Sequence, residues 1–280
     1  MNSPLNKIKN ALPPPLRDFA RHTWYELHRA SQWPAATFHP WRRASIKRLS
    51  ELKDSHLGER CFIIGNGPSL KKTDLSRLRN EYTFGMNRIY LLFNELGFTT
   101  SFYVSVNSLV IEQCLADILC LPIPCFLSWR SRYAFHENEA GMALHPNDQT
   151  IFLHTTYSGP KFAADVRGRL WEGATVTYIA LQLAYFMGFQ QAILIGVDHN
   201  FSTQGKPNTT VVSQGDDPDH FDKRYFGKGF RWQLPDLETS ERGYRMAHEA
   251  YTQAGRQVLD ATIGGKLDVF PKVDYGELFK

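Results

Sequence analysis

Residues 61–70 read Cys61-Phe62-Ile63-Ile64-Gly65-Asn66-Gly67-Pro68-Ser69-Leu70. An apolar run passes directly into Gly-Asn-Gly-Pro-Ser, and a helix-like pattern follows. That spells a buried strand, a tight turn and a helix N-terminus. The glycines allow backbone dihedrals closed to other residues and a close approach to a ligand. Pro68 suits a first helical turn, where its missing N–H costs nothing. Free backbone donors and the positive end of the helix dipole then favour a phosphate-bearing ligand over the turn. Asn66 adds an amide for a sugar or a base. A plain strand-to-helix turn is spelled in much the same way. The dinucleotide fingerprint is not met, because its third Gly is missing, and no Gly-Lys-Ser/Thr completes a P-loop.

Outward from this stretch, short apolar runs alternate with helical patterns from Arg60 onward. This is the signature of an α/β fold: a Rossmann-like, mainly parallel sheet with helices on both faces. Strands are expected at Cys61–Ile64, Tyr82–Met86, Ser101–Val106, Pro124–Ser128, Thr150–Leu153, Ala192–Val197 and Arg256–Leu259. Helices are expected at Ser69–Arg79, Leu109–Ile118, Thr175–Met187 and Thr239–Ala254, with Gly255 as a C-cap for the last. Residues 199–236 are rich in Asn, Asp, Gly and Pro and read as an irregular lid. Asn66, Asn87 and Asn107 follow the first three strands, and Asp198 follows the strand Ala192–Val197. Ligands of open α/β sheets bind beyond the carboxyl ends of the strands, so these side chains are expected to converge on one crevice. Taken singly, each Asn also suits a turn or a cap.

The chain of 280 residues, 42% hydrophobic and 21% charged, is ordinary globular material. Its four cysteines form no CxxC pair, which predicts reduced, structural thiols in a cytoplasmic protein. The N-terminus has lysines but no apolar core of a signal peptide. The apolar stretch Thr175 to Val197 is interrupted by Gly188 and Gln190-Gln191, and reads as a helix followed by a strand rather than a membrane span. The net charge of +4 is uneven: residues 1–50 hold nine Lys/Arg against Asp18 and Glu26, a local +7 that leaves −3 for the remainder. Phe19, Trp24, Tyr25, Trp33, Phe38 and Trp41 are interleaved with those cations. Such a segment suits an anionic inner-membrane surface, or an arm that packs its aromatics on the body. Nucleic acid is not expected as a partner, because the body beyond the arm is acidic. The expected division is a basic, aromatic extension over 1–56, with a helical stretch from Leu16 to about Ala30 and another from Ser45 to Leu52, and one domain over 57–280.

Three motifs together, Phe62 to Leu70, Met86-Asn87-Arg88 and Gly196-Val197-Asp198, resemble the MptE-like (DUF115) superfamily, which takes its name from archaeal 6-hydroxymethylpterin diphosphokinases. They are also similar to bacterial sialyltransferases of glycosyltransferase family 42 and to Maf flagellin glycosyltransferases. The resemblance spans roughly residues 57–200, and Thr262-Ile263-Gly264-Gly265 with Val269-Phe270-Pro271 resembles the end of bacterial MptE-like proteins found with surface-polysaccharide genes. From the sialyltransferase branch it implies donor-binding roles for Gly65, Asn66, Gly67, Ser69, Asn87 and Asn107 around a CMP-activated sugar. Thr175 matches the Thr of a Thr-Ser-Gly motif that contacts the sugar carboxylate, with Val176 and Thr177 standing where the motif has Ser and Gly. Asp198 matches the Asp of Gly-Ile-Asp, and His199 stands where the branch has an aromatic residue. The branch's catalytic His lies in the loop after this strand, where His220 is the best-placed candidate.

Sugar transfer needs a base for the acceptor hydroxyl and a means of stabilising the leaving phosphate. An ordinary His titrates near pH ~6.5, which suits the first task. Of ten histidines, His199 and His220 flank the lid. Tyr225 can donate to a phosphate, or simply pack against Phe226 and Trp232. Asp216, Asp217, Asp219 and Asp222 cluster but keep no fixed metal-ligand spacing, so no metal site is assigned. The Gly-x-Ser-x-Gly elbow of a serine hydrolase is missing. The expected function is a glycosyltransferase of bacterial surface-glycan biosynthesis, using a nucleotide-activated, CMP-linked acidic sugar, a His base and a glycan or lipid-linked acceptor. Such a transferase requires no cofactor. The alternatives are an ATP- and Mg²⁺-dependent pyrophosphokinase acting on hydroxymethylpterin, and a non-catalytic nucleotide-sugar binder.

Overall fold

The computed structural model describes residues 33–135, 144–157, 159–203 and 205–280 and, before them, only Pro13, Leu16, Thr23, Leu27, Ala30 and Ser31. Most of the helix expected from Leu16 to Ala30 therefore lies outside the described residues. The strands are β1 (Arg60–Ile64), β2 (Tyr82–Met86), β3 (Phe102–Ser105), β4 (Cys125–Ser128), β5 (Thr150–Thr156), β6 (Arg169–Trp171), β7 (Gln191–Ile195), β8 (Thr210–Val212), β9 (Arg231–Gln233) and β10 (Gln257–Asp260). The helices are α1 (Pro40–Leu52), the single turn α2 (Phe93–Leu96), α3 (Ser108–Leu119), α4 (Val176–Met187) and α5 (Leu237–Gln253). Eight strands form one parallel sheet in the order β10-β7-β1-β2-β3-β4-β5-β6, and β8 pairs with β9 in a separate antiparallel hairpin. The α/β Rossmann-like class read from the sequence is the one observed.

Each central strand is apolar on both faces, as a covered parallel sheet requires. Ile63, Phe84, Val104 and Leu194 point to a core shared with α4 and α5. Phe62, Ile64, Tyr103 and Ile195 point to a second core that takes in Val110, Ile111 and Leu115 of α3. Nearly every residue of α4 is buried, Gln182 included. Gln182 is tolerated because its amide bonds the Ala163 N–H and the Trp171 and Tyr178 carbonyls. Among the described residues no helix is long and apolar enough to cross a membrane.

Two expectations change. The helix expected over Ser69–Arg79 is instead two 3₁₀ turns, Pro68–Lys72 and Leu75–Leu78. Asp74 interrupts it, because its side chain accepts from the Ser76 N–H and starts the second turn afresh. The helix read as Ser45–Leu52 begins earlier, at Pro40, where the His39 ring caps the Trp41 N–H. It is built into the body: the Phe152 N–H of β5 donates to Ser45 Oγ at 2.9 Å, and Arg42 is 1% exposed. The cysteines are all free, Cys61, Cys114 and Cys125 buried and Cys120 exposed.

From β1 the chain moves to β2 on one side, and β7 later fills the other. The carboxyl ends of β1 and β7 therefore form the point where the strand order reverses, the place such sheets bind ligands.

Candidate functional site

A crevice of about 240 Å³ opens over the carboxyl ends of the strands. Asn66, Gly67, Asn87, Asn107, Thr175, Asp198, His199, His220 and Tyr225 all line it. Gly65 and Ser69 do not.

The glycine turn is explained first by β7. Gly65 N donates to the Ile195 carbonyl at 2.7 Å and Gly67 N to the Gly196 carbonyl at 2.9 Å. A Cβ on Gly65 would stand 2.2 Å from the Gly196 oxygen, and one on Gly67 would stand 1.8 Å from Asp198 Oδ2. Only glycine lets β1 and β7 close this tightly. Asp198 meets the turn from the end of β7. Its Oδ1 accepts the Ser69 N–H at 3.2 Å and its Oδ2 the Ser69 hydroxyl at 2.6 Å. A carboxylate at the start of the 3₁₀ turn satisfies those donors from within the protein. Within the protein these donors bond the Ile195 and Gly196 carbonyls and Asp198.

Asn66, Asn87 and Asn107 differ in what their side chains hold. Asn66 Oδ1 is buried and has no hydrogen-bond partner among the described residues, at the wall of the crevice. Asn87 takes a left-handed φ of 50°, which Asn tolerates, and its Oδ1 accepts from Ser105 Oγ at 3.0 Å. Its amide also bonds the Tyr225 hydroxyl, whose pKa burial pushes up. Asn107 is the N-cap of α3 and accepts the Leu109 N–H at 2.9 Å. Thr175 is the N-cap of α4, and its Oγ1 lies 3.2 Å from the Tyr244 hydroxyl.

The segment 199–236 is packed down on the sheet rather than standing open. Phe221, Tyr225, Phe226, Trp232 and Leu234 are buried and continue the second core. Phe221 N donates to the Asn66 carbonyl at 2.9 Å, and the Arg88 guanidinium to the carbonyls of Arg224 and Tyr225. Gln113 of α3 holds the Arg231 backbone at both its N–H and its carbonyl.

This packing fixes His220. Its ring stacks on Tyr225 at 4.0 Å and meets the edge of Phe226 at 4.9 Å. Its Nδ1 lies 2.8 Å from Asp217 Oδ2, and the side chain of Asp217 is 5% exposed. A carboxylate can only accept, so Nδ1 is the donor of this pair. His199 forms a second pair, Nε2 lying 3.1 Å from Glu241 Oε1 on α5, and its backbone is left-handed at φ 52°. Asp217 and Glu241 are partners that sequence reasoning missed. Glu241 sits 42 residues from its histidine, and the local sequence carries no signal of that pairing.

The acidic residues of the loop disperse. Asp216 faces Lys223, Asp217 holds His220, and Asp222 pairs with Arg224, whose hydrogen bond draws its carboxyl down to about 2. Asp219 accepts from Ser202 and Thr203; burial pushes its carboxyl up, but these bonds outweigh it and hold the group below the usual carboxylate range. Glu172, also missed from sequence, is 6% exposed, lines the crevice and binds the Arg130 guanidinium at 2.5 Å. Among the described residues no group of three His, Cys, Asp or Glu is placed to share a metal. The crevice carboxylates are each engaged by protein donors, a poor fit to a Mg²⁺ site built on free carboxylates.

A structure of a MAf glycosyltransferase from Magnetospirillum magneticum AMB-1 is similar at a TM-score of 0.47 and 13% identity, over 94% of this chain and 43% of that one. This chain thus spans less than half the length of that protein. No curated protein matches it in sequence. The family described as 6-hydroxymethylpterin diphosphokinase MptE-like matches residues 39–204, from the residue that caps α1 to the loop after β7. Covering more than half of the 280 residues, that match makes this chain a member of the MptE-like family.

Proposed function

We propose that this protein is a glycosyltransferase of bacterial surface-glycan biosynthesis, moving a sugar from a nucleotide-activated, CMP-linked acidic donor to a glycan or lipid-linked hydroxyl. The observation that carries the reading is His220, which lines the crevice and pairs with Asp217. In this reaction Nε2 of His220 accepts the acceptor's hydroxyl proton as its oxygen bonds the anomeric carbon. The bond from that carbon to the donor phosphate breaks, and the nucleotide leaves as its monophosphate. Asp217 stabilises the imidazolium that results.

Two features support the donor class. The Asn66 amide, with its unpartnered oxygen, offers a contact to a sugar or base. The N-terminus of α4, capped by Thr175, lines the crevice and suits the carboxylate of an acidic sugar. No Lys or Arg stands among the described residues lining the crevice, which suits the single phosphate of a CMP-sugar better than a triphosphate. The aromatic, basic residues of 1–50 would bring the enzyme to an anionic inner membrane, where a lipid-linked acceptor resides.

The family's description supports a second reading, pyrophosphoryl transfer from ATP to a pterin, which requires Mg²⁺ to neutralise the transferring phosphates. A thermal-shift screen with CMP, CDP, UDP, GDP and ATP, each with and without Mg²⁺, separates the two. CMP should raise the melting temperature without metal. His220→Ala should lower turnover by about 10²–10⁴ while leaving CMP affinity nearly unchanged. Stabilisation by ATP alone, strictly dependent on Mg²⁺, would overturn the transferase in favour of the kinase.

A further inference from the structure

We propose that His199 is a second catalytic residue of the crevice, donating from Nδ1 to the phosphate of the nucleotide donor, and that Glu241 is its positioning residue. This role rests on the transferase reading above and adds to it the group that receives the leaving phosphate. His199 lines the crevice, and its side chain is 7% exposed. Its Nε2 lies 3.1 Å from Glu241 Oε1, and because a carboxylate only accepts, Nε2 is the donor of the pair. Glu241 Oε2 accepts from Arg245 at 2.6 Å, which holds the carboxylate in place. Nδ1 of His199 has no hydrogen-bond partner among the described residues. The left-handed φ of 52° at His199 lets two consecutive side chains part, Asp198 to Ser69 and His199 to α5.

The crevice offers an anionic donor few positive partners. Its lining carboxylates are Glu172, Asp198 and Asp219, and among the described lining residues only His199 and His220 can become cationic. A phosphate leaving water for such a space requires a charged or hydrogen-bonding partner there. His220 is the base of the proposed reaction and ends the step holding the acceptor's proton, which leaves His199 for the phosphate. With a carboxylate at Nε2 and a phosphate oxygen at Nδ1, both ring nitrogens face acceptors and both carry protons. As the bond from the anomeric carbon to the phosphate oxygen breaks, its electron pair stays on that oxygen, and the Nδ1–H hydrogen bond to the phosphate strengthens. No proton passes from His199. Tyr244 sets this group beside the N-terminus of α4: its ring meets His199 edge-on at 6.2 Å between centres, and its hydroxyl lies 3.2 Å from Thr175 Oγ1. The phosphate and the carboxylate of an acidic donor thus find neighbouring partners.

The test is calorimetric titration of the full chain at neutral pH, without metal, with CMP and with cytidine, which lacks the phosphate. The wild-type protein should bind CMP more tightly than cytidine. His199→Asn keeps a residue that tolerates the left-handed backbone. It should weaken CMP by about 10- to 100-fold, the scale of a hydrogen bond to a charged group, and leave cytidine unchanged. Glu241→Gln should act in the same direction by about tenfold, whereas His220→Ala should keep the wild-type preference for CMP. In ring-nitrogen NMR spectra the Nδ1 signal of His199 should move to its protonated position with CMP and stay in place with cytidine. A preference for CMP that survives intact in both His199→Asn and Glu241→Gln would overturn this role and leave the transferase standing. Equal losses of CMP and cytidine would make the pair structural and overturn it too. A wild-type protein that binds neither ligand would overturn the transferase reading, and this role with it.

Discussion

His220 owes its orientation to Asp217, whose Oδ2 takes hydrogen bonds from the imidazole at 2.8 Å and from the Phe226 N–H at 3.0 Å. Asn in place of Asp217 can donate to Nδ1, which would favour the tautomer protonated at Nε2, the wrong one for a base acting through that nitrogen. Asp217→Asn should therefore reduce kcat by about 10²–10⁴ with donor affinity little changed, as read by steady-state kinetics beside a binding titration. His154 gives the molecule an acid-side weakness. Its folded pKa of about 4 lies below the ordinary unfolded value of ~6.5, so the unfolded chain binds the extra proton between them. The stability this group contributes is intact above pH ~6.5 and is lost as pH falls towards 4, by about 3 kcal/mol at most. Denaturant titrations at a series of pH values should show that decline, and His154→Gln should flatten it.

At the scale of elements, α1 closes the side of β5 that β6 leaves open. β6 pairs only with residues His154–Thr156, and Ser45 and Arg48 of α1 reach the backbone of the β5 segment before them. The basic N-terminal region is therefore not one appended piece: its last helix belongs to the body. A chain beginning at Trp33 should melt as the full chain does. One beginning at Lys53 should lose more than about 3 kcal/mol, the scale of deleting a large core side chain, because β5 is uncovered and the Ser45 contact is gone. Circular dichroism melts of the two shortened chains check this. The hairpin β8–β9 is held in a comparable way, by Gln113 of α3 and by Trp232 in the second core.

Across the whole molecule, charge and chemistry are separated along the chain. The +7 of residues 1–50 precedes a body of net −3 that carries the crevice. Beginning the chain at Trp33 removes Lys7, Lys9, Arg17, Arg21 and Arg29 while leaving α1 and the crevice in place. Each cation near an anionic leaflet is worth on the order of 1 kcal/mol at low salt. Sedimentation with anionic vesicles should recover the full chain at low salt, release it at high salt and leave the shortened chain in solution. Nucleotide affinity should be equal in both. Full-length protein that ignores such vesicles at low salt would assign the segment a structural role instead.

The sequence alone determined the sheet, because the information for it is local. Apolar runs at Cys61–Ile64, Tyr82–Met86 and Ala192–Val197 announce strands covered on both faces, and the alternating helices impose parallel order. It also determined which strand ends carry the crevice, since Asn66, Asn87, Asn107 and Asp198 each follow such a run. Three-residue elements such as β6, β8 and β9 are too short to show a period, and they went unread. What only the tertiary structure decided is which groups those side chains meet. Asp198 reaches Ser69 across 129 residues because β7 lies beside β1, and that contact gives the Ser69 hydroxyl a partner no local pattern announces. Arg42 and Arg167 meet across 125 residues for the same kind of reason. Such pairings follow from strand order and helix docking, and no local pattern of residues encodes them.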